Sequence, residues 1–333
     1  MFENTVFSVL DLSPIIKGGD AAQAFANTVD LAKWAENLGY SRYWLAEHHN
    51  MPGLACAATA VLVGHVAGAT TKIKVGAGGI MLPNHSPLII AEQFSALATL
   101  YPGRIELALG RAPGTDNQTM QALRRSSKEE VNQFPKDVLE LQAYVGRQVD
   151  GIEAVPSCIV PGQGSDLPMW ILGSSLYGAQ LAAALGLPYG FASHFAPSLL
   201  TQAIEIYRET FKPSNYLDKP YVLAGFNVFA AENDETGRLL MSSAKQAFLN
   251  LRRGKPIPLQ PPLENFDSQI SETEKAFLSN LLACSAVGGP DKVKGEIEEF
   301  IKFTGVDELM IASQIYDHNA RLKSYQILAE NFS

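Results

Sequence analysis

Positive charge is scarce in this chain of 333 residues, where 26 lysines and arginines stand against 34 aspartates and glutamates for a net charge of -8. Binding nucleic acid takes a stripe of cations to meet phosphates, and the one compact basic cluster here is Leu251 to Lys255. No nucleic-acid partner is expected. Cysteine is equally sparse. Cys56, Cys158 and Cys284 are odd in number, far apart and without CxxC spacing, a pattern that fits reduced, unpaired thiols. The opening MFENTVFSVLDLSP has no basic leader and carries Glu3 and Asp11, so it reads as neither a signal peptide nor a spanning helix. A cytoplasmic protein without a membrane partner is expected. P-loop and GxGxxG motifs are also missing, which disfavours a Rossmann nucleotide site.

What the chain has is apolar mass and rhythm. With 47% hydrophobic and 18% charged residues it can bury a sizeable core. Short β-branched or aromatic runs recur, each followed by a helix-length segment, as in βα units on a parallel sheet. The expected strands are Thr5 to Leu10, Tyr43 to Ala46, Ile73 to Ile80, Ile105 to Gly110, Met169 to Gly173, Gly190 to Ala192, Val222 to Ala230 and Glu308 to Ala312. Eight such units with no break in composition predict a (β/α)8 TIM barrel forming a single domain over residues 1–333. Two Pro- and Gly-rich excursions interrupt it. Val149 to Pro168, before strand five, reads as surface filler, whereas Arg252 to Gln269, between strands seven and eight, reads equally as filler or as an active-site lid.

Active sites of this fold sit where the strands end, so residues just after strands carry a functional prior. Five of the six histidines fall there: His48 and His49, His85, His194 and His318; His65 is placed within a helix. Neither HxH nor HExxH spacing occurs, and Glu47 and Asp317 are the only acids beside these histidines, so no metal is expected. After strand five, Gly-Ser-Ser runs into a helix, where free backbone N–H groups and the hydroxyls of Ser174 and Ser175 suit a phosphate; a plain serine N-cap is the alternative. Arg111 follows strand four on the same rim, placed for a bidentate phosphate contact or else for pairing with Asp116. Gly76, Gly78 and Gly79 punctuate a strand interior, as where a ligand approaches closely.

In this order, SVLDLSP, YWLAEHH, VGAGGIMLPNHSPLIIAEQF, LYPGRIELALGRAPGTD and ILGSSLYGAQLAAALGLP resemble the bacterial luciferase-like flavin monooxygenases over essentially the entire chain. The resemblance implies that His48 is the active-site histidine, that Glu47 before it is a cofactor-binding residue, and that Gly78-Gly79 is a cis peptide bulge against which the flavin ring packs. It places the flavin phosphate on Arg111 and Ser175, with Ser174, Tyr177 and Gly178 beside them. His49, His85, His194 and His318 are candidate substrate-pocket residues, His49 also being expected to brace the rim. The implied cofactor is FMN, used as reduced FMN supplied by a separate flavin reductase, with O2 and a small organic substrate. One departure is Gly110, where light-emitting α chains carry a reactive cysteine, and it argues against bioluminescence. Deazaflavin-dependent hydride transfer and flavin binding without turnover are the alternatives. The helix over Ala57 to Ala69 is apolar around nearly its full circumference, which together with the resemblance predicts a homodimer.

Overall fold

Val6, Val9 and Leu10 of the first strand, and their counterparts in the runs that follow, assemble in a computed structural model of the protein into a parallel sheet closed on itself. The structure describes residues 5–112, 114–123, 133–147, 149, 160–161, 165 and 167–332. Among these the strands are β1 Val6–Asp11, β2 Arg42–Leu45, β3 Lys74–Met81, β4 Ile105–Gly110, β5 Met169–Gly173, β6 Tyr189–Phe191, β7 Val222–Ala230, β8 Ser285–Gly288 and β9 Glu308–Ala312. The α-helices are α1 Ala21–Asn37, α2 Thr59–Ala69, α3 Pro87–Leu100, α4 Asn117–Leu123, α5 Phe134–Tyr144, α6 Leu176–Leu185, α7 Leu200–Thr210, α8 Asp234–Arg252, α9 Glu272–Leu281, α10 Pro290–Thr304 and α11 His318–Asn331. Strands β1 to β7 pair in sequence order and β9 closes the circle between β7 and β1. The expected eight-stranded barrel is present, each strand within one residue of its expected bounds.

Strand β8 was not expected from the sequence. Its four residues, Ser-Ala-Val-Gly, hold one β-branched side chain and form no visible apolar run. It pairs with Asn227 to Ala230, the outer end of β7. Tyr221 accepts a bond from Tyr189 and Asn227 donates one to Cys284, so β8 occupies the edge of β7 that the three-residue β6 leaves bare.

Side chains alternate in and out along each strand, and what fills the barrel changes with height. Deep inside, Arg42 bridges Glu106 at 3.1 Å and Glu308 at 2.9 Å, while Trp44 donates to Glu106 and packs edge-on against Trp170. Towards the carboxyl ends the inward residues are small: Ala46, Gly78, Gly110 and Ala192 line a cavity of about 620 Å³. The Gly78-Gly79 peptide is cis, and the register of β3 against β4 shifts between Gly78 and Ile80.

Of the excursion over residues 149–168, most positions, Cys158 among them, lie outside the described residues. Cys56 and Cys284 are buried free thiols. The second excursion is well tied. Lys17 donates to the Leu259 carbonyl and Leu259 donates to that of Ile15, both at 2.8 Å. Among the described residues no helix is long and apolar enough to cross a membrane.

Candidate active site

Strand alternation sorts the EHH motif. Arg42, Trp44, Ala46 and His48 share one parity, and the last two line the cavity; Leu45, Glu47 and His49 share the other and do not. His48 therefore faces the cavity. Its Nδ1 lies 3.3 Å from the carbonyl of Gly114. A carbonyl only accepts, so Nδ1 carries the proton and Nε2 keeps its lone pair in the neutral ring. Burial lowers the pKa of His48, more than the Gly114 carbonyl and Glu47 raise it.

Glu47, expected among the cofactor-binding residues, instead stands behind the cavity wall, almost fully buried and outside the lining. His49 Nε2 and His85 Nε2 each donate to its Oε1 at 2.8 Å, and the Met81 amide donates to its Oε2. Neither His49 nor His85 lines the cavity, so both move from the candidate substrate pocket into a brace that joins the ends of β2 and β3. The Glu47 oxygen and the two imidazole nitrogens lie within 4.8 Å of one another. Sequence spacing hides this cluster because Glu47 and His85 are 38 positions apart.

Burial pushes the Glu47 pKa up, but the hydrogen bonds from His49 and His85 outweigh it and hold the carboxyl at about 2, below its ordinary 4.5. A folded-state pKa below the unfolded one stabilises the fold fully above about 4.5, a contribution lost as pH falls towards 2. The shift corresponds to roughly 3 kcal/mol. Glu47→Gln should thus be less stable than wild type at neutral pH and lose less on acidification. Urea unfolding at stepped pH measures both, and parallel pH profiles for the two proteins would count against the brace.

His318 is placed elsewhere. It opens α11 behind its N-cap Asp317, and its Nε2 pairs with Asp30 of α1 at 2.9 Å, outside the cavity. His194 does line the cavity.

The expected phosphate residues come together. Arg111, Ser174, Ser175, Tyr177 and Gly178 line the same cavity as His48, Gly78 and Gly79. Ser175 is the N-cap residue of α6, yet its hydroxyl makes no capping bond, which sets aside the plain-cap reading and leaves it available to a ligand. Asp116 bonds Asn50 and Thr119, and no carboxylate pairs with Arg111 among the described residues. The guanidinium instead lies 4.1 Å over the Tyr177 ring.

A family model described as luciferase-like monooxygenase matches residues 5–308. The chain belongs to the luciferase-like monooxygenase family. This luciferase-like protein is 50% identical over 328 residues to a luciferase-like monooxygenase of Escherichia coli (strain K12), covering 98% of this chain and 97% of that one. Its structure matches that of apo-MsnO8 with a TM-score of 0.87 at 30% identity, covering 98% of both chains. Lower in identity, at 18%, it shares the fold of the oxygenating constituent of 3,6-diketocamphane monooxygenase from Pseudomonas putida in complex with FMN, at a TM-score of 0.74 covering 98% and 97%. A secondary alcohol dehydrogenase shares the fold too, at 16% identity and a TM-score of 0.70, covering 99% of each chain. The family makes the protein an oxidoreductase.

Several lining residues of this luciferase-like protein were not expected. Gln314 follows β9 at the inward parity of Met310 and Ala312, a signal that was present in the sequence. Phe248 and Leu251 of α8, with Pro256, Ile257 and Leu259 of the second excursion, form its outer wall. Nothing local announces them, because their place depends on how the excursion folds back over the β1–α1 loop.

Proposed function

We propose that this protein is a two-component, FMN-dependent monooxygenase that takes reduced FMN from a separate reductase and uses O2 to oxygenate a small organic substrate. The observation that carries the reading is an arginine without a carboxylate partner among the described residues, set beside two serine hydroxyls at a helix N-terminus in the same cavity as a half-buried histidine. Arg111, Ser174 and Ser175 would hold the phosphate, and the strand over Gly78 and Gly79 would take the ring. At neither glycine is there room for a side chain: a Cβ at Gly78 would lie 2.9 Å from Trp44, and one at Gly79 would lie 2.6 Å from the Ala108 carbonyl. A cavity of about 620 Å³ has room for a mononucleotide and a small substrate.

Bound reduced FMN supplies the electrons that activate O2. The chain's own contribution is to fix the cofactor by its phosphate, to exclude water with an apolar wall, and to hold or take up a proton at His48 Nε2. Titrating the protein with FMN, reduced FMN, FAD and a deazaflavin tests the reading, with reduced FMN expected to bind most tightly. Tighter binding of the deazaflavin would indicate hydride transfer, and binding of reduced FMN without oxygenation when a reductase and O2 are supplied would reduce the protein to a flavin carrier.

The exposed side of α2 and α3 carries Val61 and Leu100, about 70% exposed, together with Leu88 and Ile89. Such a patch fits an isologous interface, and we assign it to a homodimer. Light scattering should give about twice the 36.0 kDa chain mass. Val61→Glu should return the monomer, and a monomeric wild type at high concentration would end the assignment.

A further inference from the structure

His194 is a half-buried imidazole to which the flavin assignment gives no task. It follows β6, two residues beyond Ala192, and lines the cavity with Ala192. The position is built with care. Gly225 of β7 gives the ring its seat, since a Cβ there would run into Nδ1. Asn227 Nδ2 donates to the His194 carbonyl at 2.7 Å, Ser193 Oγ donates to the Gly225 carbonyl at 2.6 Å, and the ring meets Phe195 edge-on.

The two ring nitrogens differ. Nδ1 is sealed from solvent with no hydrogen-bond partner among the described residues. An orphaned buried N–H is rarer and costlier than an unfilled lone pair, so the proton of the neutral ring belongs on Nε2. Burial drives the pKa of His194 down to about 4, and nearby His48 lowers it further in the same direction. Around neutral pH the ring is an uncharged donor. Its surroundings are apolar: Leu10, Leu54, Phe248, Leu251 and Ile257 share the cavity, and Arg111 is the only formally charged lining residue among those described.

We propose that His194 is a substrate-binding residue whose Nε2–H donates to an uncharged acceptor oxygen on an otherwise apolar substrate. The proposal rests on the reading of this cavity as a joint flavin and substrate site. A carboxylate or sulfonate on the substrate would have to be desolvated with, among the described lining residues, only the phosphate-binding arginine to pair it, which the cavity disfavours.

The test is a binding titration on the full chain, followed by tryptophan fluorescence and thermal shift, using 2-heptanone, heptane and heptanoate as probes with and without FMN. Wild type should bind 2-heptanone, and at least tenfold tighter than heptanoate. His194→Phe should weaken 2-heptanone roughly two- to tenfold, the range of one neutral hydrogen bond, while leaving heptane and FMN binding unchanged. His194→Gln, which keeps an N–H donor, should recover some of the loss. Equal weakening of ketone and alkane would reduce His194 to packing, and heptanoate binding as tightly as the ketone would overturn the proposal. Should His194→Phe fail to fold, Gly225→Ala, which displaces the ring, must produce the same selective loss. FMN failing to bind while ketone selectivity persists would sink the flavin reading alone; FMN binding with no selectivity would sink this one alone.

Discussion

His48→Ala should lower the rate of product formation by about 10²- to 10⁴-fold, the usual worth of a general acid or base, while FMN affinity stays near that of wild type. The expectation follows from how the ring is held. The Gly114 carbonyl fixes the proton on Nδ1 and so leaves Nε2 as the basic nitrogen of a side chain that lines the cavity. Burial keeps that nitrogen unprotonated to lower pH than an exposed histidine, so the acid limb of the pH–rate profile should lie below the ordinary value of 6.5 and vanish in His48→Ala. His49→Ala should behave differently. It removes one of the two imidazole donors to Glu47, so its cost falls on stability more than on turnover. Steady-state product analysis with a reductase present, set beside thermal melts of both variants, decides between the two histidines; a larger loss of turnover in His49→Ala would reverse their roles.

The second large effect is on cofactor affinity. Arg111→Ala should weaken FMN by roughly 1.5–3 kcal/mol, the range of a hydrogen bond to a charged group, which is about 10- to 150-fold in Kd. No internal carboxylate among the described residues competes for the guanidinium, because Asp116, the partner the sequence offered, is occupied by Asn50 and Thr119. Stacking on Tyr177 keeps the planar group in place before any ligand arrives. Arg111→Lys should therefore recover the charge but only a fraction of the affinity, and riboflavin, which lacks the phosphate, should bind both variants as it binds wild type. Unchanged FMN affinity in Arg111→Ala, measured by fluorescence titration, would remove Arg111 from the site.

Much of this arrangement is legible in the chain because it is local. Strand alternation alone separates His48 from Glu47 and His49, and glycine punctuation marks the stretch of β3 where no side chain fits. Asp317 could have been read as an N-cap, which would have turned His318 into the first residue of a helix instead of a rim loop. What was not legible depends on distant partners. The joining of Glu47 to His85 needs β2 and β3 side by side, the seat of His194 needs a glycine one strand away, and β8 exists only because β6 is short. Each is a consequence of closure, and closure is not written in any window of sequence.

The excursion after α8 has one more consequence. Its outer wall is fastened to the β1–α1 loop by the paired bonds of Lys17 and Leu259, and its far end returns to the sheet through β8. Opening of the wall at Ile257 and Leu259 is expected to break this pair of backbone bonds while the barrel strands stay paired. Those two amides are natural timers of access. In hydrogen–deuterium exchange they should trade faster than the amides of β1 and β9 and slow when FMN or a cavity ligand is bound, so that the traffic of small molecules can be followed at the two residues that fasten the wall.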